Sequence, residues 1–549
     1  MAADRQRVRL SRLLAPALPA VPIVVFVVLF AIGPAAVLFA ESVGSIGGWT
    51  GAGRLLADPV NVRAMSNSFE QGAASAVAAG VVGFPAGLLL GRYRLFGQGP
   101  IFALLLIPFL LPSLVVVGGV EALVGPAGSL TQIWPPIALF GRGVPGIVLV
   151  NLVFNAPVVA LLTATGVQTA SATLEDTATV LGAGPWRRFR AVWGPPALVG
   201  ATAGGLLTFL FSALAFAAPL LVCGARCATL EVRVYALDQV LVDPTGAGVL
   251  ALAMVALLAI PTAGYLLLWS RLRRRGAHST DRRRPIPWRA WTVWPAVALT
   301  AGYVALVGLV LASVIGQSLV PPAPHAAWGA AWVALGSPHV ADVLHLTVAG
   351  AVGNTLLFGF ASTAMALLLA VVGARASTDR RSGIAIGFLL FLPLLISPVV
   401  LAFALASLWR PLLGGESTVW LLIVISQATL ALPFALQSLS SALHRDSPRP
   451  REAAQTLGAT PFGAYLDVSL PSARRGLVTA ALFALAIALG EFTATYFLAT
   501  PAFTTLPVAL YHLLGARLTA PADAIAALLV AVTGGAFALL IFGGERIEL

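Results

Sequence analysis

The chain contains no lysine: the 33 residues counted as Lys plus Arg among its 549 are all arginine. A Walker-type phosphate loop needs the lysine of G-x-x-x-x-G-K-[ST] to reach the terminal phosphates, so this polypeptide carries no ordinary ATPase domain. Charge of either sign is also scarce, with 10% Asp, Glu, Lys and Arg against roughly a quarter in soluble domains. Such a chain cannot cover itself with polar surface, which excludes a soluble multidomain enzyme, a coiled coil and a disordered protein. Only two cysteines are present, too few for a metal site without other ligands beside them. Neither a defensible Ser-His-Asp order nor an H-E-x-x-H motif occurs, so no catalytic constellation is expected.

Apolar residues, at 59%, are abundant, and they fall into long runs. A bilayer crossing takes about 20 mainly apolar residues, and that measure marks twelve candidate spans. They lie near 17–40, 66–90, 100–123, 144–167, 197–222, 244–270, 293–317, 351–374, 384–409, 418–443, 475–500 and 519–543. The first is too long for the h-region of a cleaved signal peptide, roughly 7–15 residues, and reads as a retained helix. The expected fold is all-α, a polytopic membrane protein.

Arginine placement orients it. With the N-terminus inside, 26 of the 33 arginines fall in inner loops and tails, including Arg271 to Arg289, and seven lie outside. Positive charge is retained on the cytoplasmic side during insertion, so both termini are expected in the cytoplasm. These arginines sit between apolar runs, not on a basic face interleaved with aromatics of the kind that grips nucleic acid.

The sequence repeats itself. From Asp176 onward an offset of 276 places Leu181-Gly182-Ala183 on Leu457-Gly458-Ala459, Pro185 on Pro461, Pro195 on Pro471, Phe216 on Phe492, and Tyr235 on Tyr511. Upstream Pro157 meets Pro433, and before that the offset drifts, pairing Asn67 with Asn354 and Pro108 with Pro393. The expected organisation is a first half over 1–270, an Arg-rich cytoplasmic linker over 271–292 and a second half over 293–549. Six spans per half is even, so the halves insert in parallel and are related by an axis along the membrane normal.

The two long inner loops, 168–196 and 444–474, each follow the fourth span of a half and share one pattern. The second reads Pro450-Arg451-Glu452-Ala453-Ala454-Gln455-Thr456-Leu457-Gly458-Ala459 and ends in Leu470-Pro471. The first reads Thr173-Leu174-Glu175-Asp176-Thr177-Ala178-Thr179-Val180-Leu181-Gly182-Ala183 and ends in Gly194-Pro195. Each predicts a short helix, a glycine stop and a second short helix. Thr173 with Asp176 fits a capping box, Pro450 suits a first helical turn, and Gly182 and Gly458 suit the left-handed residue that ends a helix. The alternative reading is an amphipathic segment lying on the inner headgroups, but two loops in register favour a docking element.

Glu-Ala-Ala followed by Leu-Gly-Ala and a terminal Leu-Pro resembles the EAA loop of ABC-importer permeases. Ala488-Leu489-Gly490-Glu491-Phe492, Thr504 to Tyr511, and Gly146 to Pro157 add to the likeness. The pattern is similar to the fused, two-half permeases of the ferric-iron and thiamine type of binding-protein-dependent importer. That resemblance covers nearly the whole chain and implies a bacterial inner-membrane permease carrying a small solute, ferric iron or thiamine. It also implies two copies of a separate cytoplasmic ATPase, which would bind ATP and Mg in place of any cofactor on this chain, and an extracytoplasmic binding protein. By the motif, Asp176, Ala178, Gly182, Glu452, Ala453, Ala454 and Gly458 would couple the permease to that ATPase. The first loop departs from the family at Asp176, Thr177 and Gly194, which implies either unequal coupling or a first site that merely tolerates the change.

Three weaker features remain. Glu491 lies inside the eleventh span, where an ionisable group is a functional candidate; it either lines the solute pathway or is satisfied by water or a neighbouring helix, and its counterpart is Ala215. Cys223 and Cys227 stand at the outer end of the fifth span, where conditions permit a disulfide but helical i, i+4 geometry is marginal for one. His325, His339 and His345 in an outer loop are irregularly spaced and read as ordinary loop residues beside interfacial tryptophans. The rival class is a proton-coupled carrier of the major facilitator superfamily. Its G-x-x-x-D-R-x-G-R signature is absent from Gly91-Arg92-Tyr93-Arg94-Leu95-Phe96-Gly97, where it belongs.

Overall fold

The computed structural model describes residues 21–94, 108, 111–276, 284–286, 293–320, 327–377, 396–413, 415–445 and 449–543. Nearly all of these are helical; the exception in kind is a two-residue parallel pairing of Tyr93 with Arg284 and Arg94 with Pro285. Ten helices among the described residues are long and apolar enough to cross a bilayer, eleven when the bent pair Pro461–Ser472 and Arg474–Gly490 counts as one.

The difference from twelve falls on the expected ninth span, 384–409. Its first part, 384–395, lies outside the described residues, and the rest falls in the shorter helix Pro398–Leu412. Pro398 supplies the first turn and Ser397 Oγ caps it, accepting from Val400 N at 3.0 Å. In the third span the described helix starts at Ser113, after Pro112, and 100–107 and 109–110 lie outside the described residues.

Two spans end sooner than hydropathy suggests. Helix Gly194–Ala213 is closed by Leu214, and after a short break the chain restarts into a five-residue π-turn, Pro219–Cys223, with Pro219 in a first turn, where its missing N–H costs nothing. Helix Arg474–Gly490 stops at Glu491, whose extended backbone leads into the short helix Thr493–Leu498.

The residues group into two compact units, Ser42–Trp332 and Met1–Glu41 with Val333–Leu549. These differ from the repeat halves by one helix each. The first span, Val21–Ser45, belongs over most of its length with second-half residues: Trp409 Nε1 donates to Leu29 O at 3.0 Å and its ring meets Phe30 at 5.3 Å. The seventh span, Trp294–Leu319, belongs with the first half, where Tyr303 Oη donates to Val153 O at 2.7 Å and Ser313 Oγ to Gly119 O at 3.0 Å. A repeat is a unit of sequence and a compact unit is one of packing; here they are offset.

Inside each unit the same three helices form the centre. In the first they are Pro59–Arg92, Gly143–Gln168 and Gly194–Ala213; in the second, Val348–Ser377, Val419–Arg445 and Arg474–Gly490. Equivalent polar contacts tie them together. Asn67 Nδ2 donates to Ala228 O, and Asn354 Nδ2 to Ala502 O and Thr504 O, all at 3.0 Å. Ser68 Oγ accepts from Leu230 N and Thr355 Oγ1 from Leu506 N, both at 2.8 Å. Asn151 Nδ2 donates to Ser75 Oγ at 3.1 Å, while at the matching place Ser362 Oγ donates to Gln427 Oε1 at 2.9 Å. Even the aromatic pairs match: Phe216 with Tyr235 and Phe492 with Tyr511 are each 5.3 Å apart. The repeat is therefore one of structure as well as of sequence.

Between lipid-soaked helices close approach replaces the hydrophobic drive, and small residues permit it. Gly83, Gly87 and Gly91 on the second span face Ala156, Ala160 and Ala164 on the fourth. A Cβ at Gly83 would stand 2.6 Å from Ala156 O, and one at Gly91 2.8 Å from Ala164 Cα. Gly87→Leu forces these helices apart, at a cost of about 1–3 kcal/mol or more, and the melting temperature of the detergent-purified protein drops by several degrees. Gly80→Leu, on the same helix with nothing within 4 Å of its added Cβ, leaves that temperature unchanged.

Candidate functional site: two matched loops and their anchors

The first loop helix, Ala172–Val180, is capped by Ser171, whose Oγ accepts from Leu174 N at 3.3 Å. The capping box expected from Thr173 and Asp176 is not the one used. Ser171 holds the extended backbone that a cap requires (φ −72°, ψ 118°), and Thr173 is already inside the helix. The second loop helix is Arg449–Thr456, so Pro450 lies in its first turn. Both helices stop in the same manner. Gly182 (φ +75°) and Gly458 (φ +97°) turn left-handed. Ala183 N then reaches back to Ala178 O at 2.9 Å and Ala459 N to Ala454 O at 3.0 Å, the six-to-one bond of a Schellman stop.

After the stop each chain restarts on a proline, in Pro185–Arg188 and Pro461–Ala464, and passes through a five-residue π-turn, Phe189–Trp193 and Tyr465–Ser469. The two π-turns are themselves 276 residues apart. Asp176 and Glu452 project into the open, as do Gly182, Ala453 and Gly458, while Ala178 and Ala454 are each half-buried against their own loop. Large apolar side chains stand out beside them. Leu181 is 80% exposed and Leu457 89%; Trp186 and Phe462, one turn on, are 68% and 53% exposed.

Each loop is held to the end of its half's second span by an arginine that sequence reasoning did not single out. Arg92, the last residue of Pro59–Arg92, grips Glu175 in a fork, with Nη2 to Oε1 at 2.5 Å and Nη1 to Oε2 at 3.3 Å. Its guanidinium also lies 4.3 Å from the Trp193 ring. Both partners of the ion pair are nearly buried, 12% and 13% exposed, and a planar fork with an aromatic beneath it is geometry that arginine alone provides. In the second half Arg375 lies over Phe462 at 5.1 Å and Tyr465 at 5.9 Å. Tyr465 Oη donates to Val371 O at 2.7 Å. The counterpart of Glu175 is Arg451, so the carboxylate of the first loop has no equivalent at that position. Both arginines were visible in the sequence as inner-loop charge; their partners, 83 residues or more away, were not.

Glu491 is buried, and its carboxylate is used as a cap. Oε1 accepts from Ala494 N at 2.7 Å, and Oε2 accepts from Thr495 N at 2.8 Å and Thr495 Oγ1 at 2.7 Å. Thr495 Oγ1 in turn accepts from Gln427 Nε2 at 3.1 Å. A carboxylate at the amino end of a helix is favoured by its unpaired N–H groups and dipole, so the charge that interrupts the eleventh span also starts the next helix. Beyond the break in the fifth span, Cys223 closes the π-turn and Cys227 ends a 3-10 turn, with Gly224 left-handed between them (φ +58°). The two cysteines are joined, their Cα atoms 5.7 Å apart; they do not share one helix, which removes the i, i+4 difficulty. His345 is left-handed and its Nδ1 lies 2.6 Å from Asp342 O, His339 is exposed, and His325 lies outside the described residues. Among those residues no cluster of three or more His, Cys, Asp or Glu is arranged to hold a metal.

No protein-family profile matches the chain. Individual proteins do. It is 28% identical over 466 residues to the thiamine transport system permease protein ThiP of Brucella suis biovar 1, covering 80% of each chain. It is 25% identical over 441 residues, 78% of each chain, to ThiP of Escherichia coli K12. The molybdenum transport system permease protein ModB of Azotobacter vinelandii is 34% identical over 142 residues, 23% of this chain and 63% of that one. Two structurally repeated halves, each with the same loop after its fourth span, make this a membrane transport permease. It is a fused two-half permease of the ABC-importer class.

Glu491→Gln replaces an acceptor oxygen with a donor that opposes Ala494 N or Thr495 N, at about 2 kcal/mol for a lost charge-assisted bond. A lower melting temperature with an unchanged KM for uptake is expected; a changed KM with unchanged melting would move Glu491 to the solute pathway. Thiol alkylation of the unfolded, unreduced protein adds no label, and after reduction it adds two.

Proposed function

We propose that this protein is the membrane subunit of an ATP-driven, binding-protein-dependent importer of thiamine, and that its loops around Gly182 and Gly458 receive a cytoplasmic ATPase. The observation that carries the reading is the matched exposure of Leu181 with Leu457 and of Trp186 with Phe462. Large apolar side chains held out in pairs on rigid stops mark a surface that awaits a partner. Asp176, Ala178, Glu452, Ala453 and Ala454 lie on the same two helices and complete each docking face. Both termini and both loops are placed on the cytoplasmic side, the side favoured by 26 of 33 arginines.

The chain supplies no nucleotide site of its own in this scheme. ATP and Mg belong to the partner, whose two copies would meet one loop each, and an extracytoplasmic binding protein would present the solute at the other face. Of the two solutes anticipated, ferric iron and thiamine, thiamine is favoured because the two relatives that match about four-fifths of the chain are thiamine permeases.

The test is uptake of radiolabelled thiamine into proteoliposomes holding the permease, its ATPase and its binding protein. Gly458→Asp, which forces a side chain onto a φ of +97° in the middle of the docking face, abolishes uptake and the stimulation of ATP hydrolysis, while membrane insertion and abundance stay as in the parent. Uptake that persists without the ATPase but collapses with a protonophore would overturn the importer reading in favour of a facilitator.

A further inference from the structure

We propose that Arg92 and Arg375 are transmission residues: each clamps the docking loop of its half to the inner end of that half's second span, so that displacement of the loop is passed directly to that helix. The inference rests on the loops being the docking elements, and adds the route by which their motion reaches the core.

Covalently, each loop is joined to the fourth span before it and the fifth span after it. The second span has no chain connection to the loop, yet it lies at the centre of its unit. In the first half it carries the Gly83, Gly87, Gly91 face against the fourth span and the Asn67 and Ser68 bonds to the segment after the fifth. A push on the loop therefore reaches this helix either through side-chain packing along its length or through a direct tie at its end. Arg92 is such a tie. It closes the helix, forks onto Glu175 in the middle of the loop helix, and lies over Trp193 at the far end of the π-turn. One guanidinium thus joins both arms of the elbow to one helix end, and being nearly buried, the pair is little screened by salt. In the second half Arg375 lies over Phe462 and Tyr465 of the opposite arm, and Tyr465 Oη donates to Val371 O on the same helix end.

The test uses the assembled complex of permease, ATPase and binding protein in proteoliposomes, with thiamine as solute. Coupling energies between sites commonly correspond to about 5–150-fold. Arg92→Gln and Glu175→Gln are each expected to lower uptake and binding-protein-stimulated hydrolysis about tenfold, with the ATPase still co-purifying and its basal hydrolysis retained. The double variant is no worse than either single one, and exchange of the charges, Arg92→Glu with Glu175→Arg, regains at least part of the loss. Arg375→Gln gives a loss of the same kind. Parental coupling in both single variants, additive losses in the double, or release of the ATPase would each overturn the proposal; release would assign these residues to docking itself. If the docking reading were wrong, Gly458→Asp in an otherwise unaltered chain would leave the ATPase bound and stimulated, a result independent of Arg92.

Discussion

Inside a bilayer no water stands by to satisfy a polar atom that loses its partner, and this constraint organises the protein. The amide of Asn67 and the hydroxyl of Ser68 on the second span hold the backbone of the segment after the fifth, where the chain has left its regular helix and its N–H and C=O groups are without a ladder. Asn354 and Thr355 do the same in the second half. What is preserved between the halves is the bond and not the residue. Ser68 becomes Thr355, and Asn151 becomes Gln427 with a reach one methylene longer. The polar layer is thus a frame on which apolar residues have been free to vary.

The same constraint explains Glu491. A carboxylate within a span is costly, and the structure meets the cost by breaking the helix beside it and aiming two freed N–H groups and a hydroxyl at the charge. The first half has Ala215 at the matching position and breaks its fifth span at the same place, the helix ending at Ala213 and closed by Leu214. The interruption is thus common to both halves although only one of them has a carboxylate there, and in each it precedes the segment that Asn67 or Asn354 holds.

Much of this was legible in the sequence because it is local. A left-handed glycine after a short helix, a proline restart and an aromatic pattern are settled within a dozen residues, so both loops and their stops could be placed from Gly182, Pro185, Gly458 and Pro461. The repeat was legible for the same reason. Span ends were not: hydropathy is a window average and passes smoothly over Ala213 and Gly490, where single residues end the helix. Ser171 was overlooked as a cap because Thr173 and Asp176 offered the more familiar spacing, and only the backbone conformation at Ser171 decides between them. Arg92 with Glu175, and Arg375 with Phe462, are contacts across 80 residues or more, which no local pattern encodes. The grouping of Val21–Glu41 with the second half is of that kind too, since a hydrophobic helix reads alike whichever neighbour it meets.

That grouping bears on how the protein is made. The helix Val21–Ser45 is synthesised well before its packing partners, which lie in residues 333–549. At about 5–20 residues per second, the intervening stretch of roughly 300 residues keeps it waiting on the order of 15–60 s in the lipid. During that interval Phe30 is without its ring partner Trp409. The seventh span, by contrast, meets partners already in place. Biogenesis is therefore ordered: the unit of Ser42–Trp332 has its helices before residues 333–549 emerge, and the unit that includes Val21–Glu41 closes only after them.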